Sequence, residues 1–351
     1  MEFGMLFTSQ PNLDVEPYPY RSVHERVTQD VLLAEQLGFD YAWIAEHHIS
    51  KDYGILPDPL VYIANLAALT SRIRLGTAVM TLPLHNPMRL AENVGFVDIL
   101  TGGRLVLGVG SGYRPYEFEA LGVPFDRRRE LQDEALPMLL ELLREHRIEH
   151  AGRDFQLSIG GDYELFPHSV QQPHPPLYMA AATEGSMALA ASYGAGLLLS
   201  TLPTMSVLAN QVRFYLDSCE QTVPERRWNP GFRQVDVARY VYVADSDEAA
   251  RKESEEGILR HLRSFMHPRT SGYMGTATTG TRAAVAEALS YDDLVGETLL
   301  HGSPETVVSQ VQELRERTGA TSLMLHFPPY YGPERTRETF SRFAAEVMPK
   351  L

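Results

Sequence analysis

The stretch that decides the fold is residues 73–109, which read IRLGTAVMTLPLHNPMRLAENVGFVDILTGGRLVLGV. The apolar runs Ile73–Leu82 and Leu105–Val109 are typical of buried strands, and Pro87–Leu100 between them predicts a helix. Asn86 is a suitable N-cap for this helix, and a threonine and two glycines close it. A strand, a crossover helix and a second strand predict a parallel pair.

The same alternation runs along the whole chain. The predicted strands are Met1–Phe7, Phe39–Ala45, Ile73–Leu82, Leu105–Val109, Leu177–Ala181, Gly196–Ser200, Val235–Ala244 and Thr321–Phe327. The predicted helices are Val23–Leu37, Pro59–Leu69, Pro87–Leu100, Glu130–His146, Gly185–Tyr193, Met205–Glu220, Asp247–Met266 and Arg335–Met348. Eight strand–helix units predict an α/β fold of the closed (β/α)8 TIM barrel type, because open doubly wound sheets usually have five or six strands.

Two stretches exceed this repeat, at about 148–176 and 266–303, and we interpret both as insertions at the C-terminal face of a single domain. The first predicts an extra strand at Phe155–Ile159. The second contains a Gly/Thr-rich loop at Ser271–Thr281 and predicts a short helix at Ala283–Leu289. Loops this long inside compact domains are usually lids or binding loops.

Composition narrows the class of protein. The 351 residues are 44% apolar and 22% charged, which excludes a disordered chain. No apolar run is long enough for a transmembrane helix and no basic signal segment begins the chain, so we expect a cytoplasmic protein. The single cysteine, Cys219, excludes an internal disulfide and a cysteine-based metal site.

The net charge of −14, from 31 basic and 45 acidic residues, disfavours binding to nucleic acid or anionic membrane. For the same reason, an anionic cofactor would need a local basic pocket.

In a TIM barrel the catalytic groups follow the strands. Ala45-Glu46-His47-His48 follows the second predicted strand, where adjacent side chains point in opposite directions, so the two histidines are not expected to share a metal ion. We predict no metal site. One histidine of the pair suits general acid–base chemistry, although both could equally be structural. His326, at the end of the last strand, also faces the mouth by position, and of the two interpretations that of a hydrogen-bonded core histidine is favoured.

Two helix starts carry groups that suit a phosphate. Arg127, Arg128 and Arg129 oppose the dipole of the fourth predicted helix, which would favour acids there; they would suit an anion, or form a solvated charge run. Thr183 and Ser186, after the fifth strand, would suit a phosphate or an ordinary N-cap.

Gly108-Val109-Gly110-Ser111-Gly112, after the fourth strand, would allow a ligand to approach the backbone closely, or form a tight turn. Its GxGxG spacing is not the dinucleotide-binding fingerprint.

These residues together resemble the bacterial luciferase-like, flavin-dependent monooxygenase family over nearly the whole chain. The motifs that carry the resemblance are GFDYAWIAEHH at 38–48, IRLGTAV at 73–79, NPMRLAENVGFVDILTGGRLVLGVGSG at 86–112, PLYMAAA at 176–182 and GSPE at 302–305. Each motif alone has only modest specificity for this family, but the set of motifs in this order is specific.

The resemblance implies a barrel that binds reduced FMN at its mouth. In this family the reduced flavin reacts with O2 to give a C4a-hydroperoxide, which oxygenates a small organic substrate. A separate NAD(P)H:flavin reductase would supply the FMNH2, and a homodimer is implied. Two alternatives share the fold: an F420-dependent oxidoreductase that transfers hydride, and a non-catalytic flavin-binding partner subunit.

The resemblance also assigns residues, as follows. His47 matches the family's catalytic histidine, and Ala78-Val79 matches its non-proline cis peptide. The phosphate-binding positions match Arg129, Thr183 and Ser186, with Ala182 and Glu184 contributing through the backbone. Luciferase itself has cysteine then arginine where this chain has Gly110 and Ser111, both of which we place at the cofactor. That departure argues against light emission and not against flavin binding.

Overall fold

The computed structural model describes residues 1–51, 53–265 and 289–351. The strands among them are β1 Glu2–Phe7, β2 Tyr41–Ile44, β3 Arg74–Thr77, β4 Met80–Thr81, β5 Leu105–Gly110, β6 Ile148–Ala151, β7 Gln156–Ile159, β8 Leu177–Ala180, β9 Gly196–Leu199, β10 Val235–Val243, β11 Leu299–Gly302 and β12 Ser322–His326. The α-helices are α1 Arg21–Leu37, α2 Pro59–Ala67, α3 Pro87–Leu100, α4 Pro115–Ala120, α5 Arg128–Glu145, α6 Glu184–Ser192, α7 Met205–Cys219, α8 Asp247–Phe265, α9 Tyr291–Leu294, α10 Pro304–Thr318 and α11 Pro333–Arg342.

Eight of these strands form a closed parallel barrel. Their order is β12-β1-β2-β3-β5-β8-β9-β10, and β10 pairs back onto β12. The predicted TIM barrel is therefore confirmed. All of the carboxyl ends of these strands meet at one mouth, because every pairing in the ring is parallel.

In the stretch that decided the fold, helix α3 has the predicted bounds, whereas the predicted strand Ile73–Leu82 is divided into β3 and β4, with the cis peptide bond between them. The Asn86 side chain accepts hydrogen bonds from the amides of Met88 and Arg89, at 3.0 and 3.2 Å, and so caps α3. Gly102 and Gly103 then adopt positive φ angles of 64° and 79°, a conformation that a Cβ atom disfavours. Helix α3 thus begins and ends where its local sequence dictates.

The core has an outer and an inner layer. Aliphatic side chains fill the space between the strands and the surrounding helices. Inside the barrel, Trp43 is stacked on Tyr41 and meets Tyr178 edge to face, both with ring centroids 5.4 Å apart. This aromatic layer fills the barrel interior below the mouth.

The structure adds elements that the sequence interpretation lacked. Helix α10 follows Ser303, whose hydroxyl caps it, and β11 extends the sheet beyond the barrel by pairing with the end of β10. The predicted extra strand in the first insertion is β7, and it forms an antiparallel hairpin with β6. The predicted loop Ser271–Thr281 and all but the last residue of the predicted helix Ala283–Leu289 lie outside the described residues.

Among the described residues, no helix combines the length and apolar character needed to cross a bilayer.

Candidate active site

A cavity of about 300 Å³ opens at the carboxyl ends of the barrel strands. It is lined by residues that follow β1, β2, β3, β5, β8, β9 and β12. Of the predicted site residues, those that line the cavity are His47, Ala78, Val79, Gly110, Ser111, Arg129, Ala182, Thr183 and Ser186. Glu184, the first residue of α6, is exposed and is not among the lining residues.

Small residues make the part of the cavity that follows β3 and β5. The peptide bond between Ala78 and Val79 is cis, as the resemblance predicted. A Cβ atom on Gly110 would lie 2.8 Å from Cγ2 of Val79, so a larger residue there would have to displace that side chain. Only glycine fits at position 110 without a shift of Val79.

His47 lies buried at the cavity wall and is held by a residue on another element. Its Nδ1 is 3.2 Å from Oε1 of Glu117, which lies on the short helix α4. The same carboxylate oxygen accepts the backbone N–H of His48 at 3.0 Å. Because a carboxylate accepts, Nδ1 carries the proton, and Nε2 is left with its lone pair.

Burial lowers the pKa of His47, and the nearby Arg114 charge lowers it further, although the Glu117 hydrogen bond acts in the opposite direction. The imidazole is therefore neutral at pH 7. Two tyrosine rings hold its plane: Tyr53 lies edge to face at 4.6 Å and Tyr113 at 6.2 Å between centroids. The ring is thus held in a single orientation.

His48, the second histidine of the pair, forms a hydrogen bond with a different carboxylate, that of Glu46. Nε2 of His48 and Nε2 of His85 each lie 2.9 Å from Oε1 of Glu46, and Oε2 of Glu46 accepts the Thr81 amide at 2.7 Å. Burial would raise the pKa of Glu46, but these hydrogen bonds hold it below its usual value. The two adjacent histidines therefore point to different partners, as predicted.

The start of α6 forms a ring of hydroxyls at the cavity rim. Oγ1 of Thr183 accepts the Ser186 amide at 3.4 Å, and Oγ of Ser186 accepts the Thr183 amide at 3.1 Å. This is a reciprocal capping box, and it fixes both hydroxyls beside the first amides of the helix.

The three arginines at the start of α5 separate into two groups. Arg127 is tied to Asp154 of the first insertion at 2.5 Å and to Glu130. Arg128 and Arg129 line the cavity instead. Burial lowers the pKa of Arg128, and the positive charge of the neighbouring Arg129 lowers it further.

Several cavity residues were missed from the sequence. Tyr53, Tyr113 and Glu117 all line the cavity. Arg128, which the sequence offered for an anion together with its neighbours, lines it too. Glu117 had no signal in the sequence, because nothing in its own neighbourhood reveals that helix α4 turns it toward the strand β2 histidine.

His326 is buried and also lines the cavity, in keeping with its predicted position at the mouth. The described residues contain no cluster of three His, Cys, Asp or Glu side chains that could hold a metal ion.

Three relatives illustrate what the chain is similar to. It is 41% identical over 181 residues to an uncharacterized protein, y4vJ, of Sinorhizobium fredii, covering 52% of this chain and half of that one. It is 30% identical to the 4-hydroxyprotoasukamycin monooxygenase of Streptomyces nodosus subsp. asukaensis, covering 92% of this chain and 86% of that one. It is 27% identical to the oxygenase component of the flavin-dependent trigonelline monooxygenase of Acinetobacter baylyi, covering 67% and 64%.

Solved structures share the fold. The oxygenating constituent of 3,6-diketocamphane monooxygenase from Pseudomonas putida, solved in complex with FMN, has a TM-score of 0.79 at 22% identity over 100% of this chain and 98% of that one. An F420-dependent secondary alcohol dehydrogenase has a TM-score of 0.73 at 15% identity over 99% and 98%. The fold therefore occurs with either cofactor.

The sequence model of the luciferase-like monooxygenase family matches residues 1–322 of this chain. The match takes in all of the barrel except the last strand, and with it every predicted site residue. The chain therefore belongs to the family of luciferase-like, flavin-dependent monooxygenases.

Proposed function

We propose that this enzyme binds FMN in the cavity at the barrel mouth and uses its reduced form with O2 to oxygenate a small organic substrate. The observation that carries the proposal is the arrangement of one cavity: two neighbouring arginines and the hydroxyls of α6 at one side, and a neutral buried histidine at another wall.

The cradle fits a phosphate dianion. Arg129 makes no hydrogen bond or ion pair with any described residue, so its guanidinium can pair with a ligand. The hydroxyls of Thr183 and Ser186 stand beside the amides that begin α6, which carry the positive end of the helix dipole. A phosphate would also relieve the repulsion between Arg128 and Arg129.

Bound FMN, once reduced, would supply the electrons that activate O2. The protein's contribution would then be to hold the reacting groups and a proton. His47 presents Nε2 as a hydrogen-bond acceptor, since Nδ1 donates to Glu117. A neutral imidazole in this position can accept a proton from a reacting group and return it. Glu117 acts through His47 and is a positioning residue.

A separate reductase would deliver the reduced flavin. This inference is supported by the trigonelline enzyme, whose name describes an oxygenase component. We also propose a homodimer. Helices α2 and α3 pack against each other and leave large apolar side chains exposed, among them Val61 at 68% and Phe96 at 52%. A cytoplasmic location stays a prediction.

The cofactor is tested by titrating the protein with FMN, riboflavin and F420. FMN should bind more tightly than riboflavin, because riboflavin lacks the phosphate. Arg129→Ala should weaken FMN binding by roughly 10-fold or more and leave riboflavin binding unchanged, since a charge-assisted hydrogen bond is lost. Arg127→Ala is the matched control, because Arg127 is paired with Asp154 and Glu130. Tighter binding of F420 than of FMN would overturn the cofactor assignment.

The reaction is tested by O2 consumption and product formation with an added flavin reductase. His47→Ala should reduce product formation while FMN affinity is retained. Unchanged turnover in this variant would contradict the role of His47. Stable flavin binding without turnover of any substrate would instead favour a non-catalytic partner subunit.

A further inference from the structure

His326 is held rigidly at the end of β12. Its Nδ1 lies 3.1 Å from the backbone carbonyl oxygen of Leu6 on β1. The ring packs beside Tyr240 at 5.1 Å and His261 at 5.8 Å between centroids. Only 2% of the residue is exposed, and it lines the cavity. Three neighbouring elements therefore fix where its second nitrogen lies.

The hydrogen bond to Leu6 fixes the tautomer of this imidazole. A carbonyl oxygen only accepts, so Nδ1 carries the proton. Burial lowers the pKa of His326 to about 4, and the ring is neutral at physiological pH. Nε2 is then an acceptor with no hydrogen bond to any residue that the structure describes. The atom is not fully buried, so a ligand in the cavity that His326 lines can reach it.

An accessible acceptor in a cavity wall is hydrated in the free protein, and a ligand that carries a donor can replace that water. The two carboxylates of the cavity are already engaged. Glu46 and Glu117 each accept hydrogen bonds from a histidine, and the two arginines stand at the cradle. The lining near His326 is otherwise uncharged, with Leu6, Thr8 and Met324.

We propose that Nε2 of His326 binds the substrate, and that the substrate is an uncharged molecule with a hydroxyl or N–H donor at this position. This inference rests on the proposed function, since it takes the phosphate cradle as the flavin's place and His326 as part of the substrate's. It assigns His326 a role in specificity, distinct from that of His47.

The test uses phenol, an uncharged ring with an O–H donor, and anisole, the same ring with a methyl ether. Protein labelled with ¹⁵N-histidine is loaded with FMN, and the imidazole nitrogens are followed by NMR. His326→Phe removes one set of resonances and so assigns them. We expect the Nδ1–H tautomer in the free protein, a shift of Nε2 on adding phenol, and no such shift with anisole.

Affinities measured by calorimetry give the second readout. Wild-type protein should bind phenol roughly 3- to 10-fold more tightly than anisole, the worth of one net hydrogen bond. His326→Phe should abolish that preference and still bind anisole. Absence of an Nε2 shift with phenol, or an equal preference in the variant, would overturn the inference.

Two further outcomes separate the sources of the donor. If FMN alone shifts Nε2 and phenol then has no effect, the flavin is the donor and the substrate assignment is wrong. If FMN fails to bind, the proposed function fails, while the phenol shift in flavin-free protein still reports on His326. The inference and the function on which it rests can therefore fail separately.

Discussion

The carboxyl group of Asp236 lies inside the barrel, below the mouth, and should make the protein less stable as the pH rises. The residue is buried at the start of β10, and its Oδ1 has no hydrogen-bond partner. Burial, with the charge of Glu2, raises the pKa of Asp236 to about 7. An aspartate in the unfolded chain has a pKa of about 3.9.

The sign of the effect follows from where the proton is bound. Between about pH 4 and pH 7 the folded protein retains the Asp236 proton and the unfolded chain releases it, so the free energy of unfolding falls as pH rises. Each pH unit corresponds to about 1.4 kcal/mol. From pH 5 to pH 8 the loss from this one group is therefore on the order of 2–3 kcal/mol, and it levels off above pH 7.

Asp236→Asn removes the titration and keeps the shape of the side chain. We compare the free energies of unfolding of the variant and of wild type, measured by urea unfolding followed by circular dichroism. The difference, variant minus wild type, should be about 2–3 kcal/mol larger at pH 8 than at pH 5. Any pH-independent change in stability caused by the buried amide cancels, because it is the same at both pH values. Asp162→Asn, at an exposed turn, is the matched control and should show no such change. An equal effect of Asp236→Asn at both pH values would refute the reasoning.

Three further predictions concern the site and the surface. Glu117→Ala should lower turnover roughly 10-fold or more with FMN affinity retained, because His47 loses the partner that orients it. Since that carboxylate raises the pKa of His47, the acid limb of the pH–rate profile should also move to lower pH; a move to higher pH would contradict the assignment. Gly110→Ala should weaken FMN binding by crowding Val79, and adding Val79→Ala should restore it; a double variant no better than the single one would show that the contact is not the cause. Phe96→Glu should shift the protein from dimer to monomer in analytical ultracentrifugation, and an unchanged sedimentation coefficient would place any dimer interface elsewhere.

The barrel could be predicted because its information is local. Each strand is a short apolar run, and the order of strands and helices fixes a parallel closed sheet. Helix α10 also carries local signals from which it could have been predicted. Ser303 is its cap, Val307, Val311 and Leu314 form its buried face, and a glycine ends it. It was missed because the interpretation of the long second insertion extended up to it.

The site could be predicted only in part, because its geometry depends on distant contacts. Sequence suggested that one of two adjacent histidines would act, and the fold separates them through Glu117 for His47 and through Glu46 and His85 for His48. These partners lie up to 70 residues apart along the chain. No local pattern encodes such pairings.

The same holds for the arginines of α5. Arg127 pairs with Asp154, a residue of the first insertion, and does not line the cavity. Arg128 and Arg129 are therefore the two arginines of this run that line the cavity. Because Asp154 lies 27 residues from Arg127 along the chain, no local pattern distinguishes the three arginines.

The net charge of −14 raises a physical question for the proposed cofactor, since FMN is itself an anion. At physiological ionic strength, charges more than about 8 Å away are largely screened, so most of the acidic surface has little influence on a phosphate in the cradle. A guanidinium about 4 Å from the phosphate contributes about 4 kcal/mol at an effective dielectric constant of 20. Within the cavity, Glu46 and Glu117 accept hydrogen bonds from histidines, which reduces their repulsion of the ligand. The local pair of arginines therefore outweighs the global charge, and FMN affinity should fall steeply with Arg129→Ala but only weakly when exposed acids far from the mouth are neutralised or added.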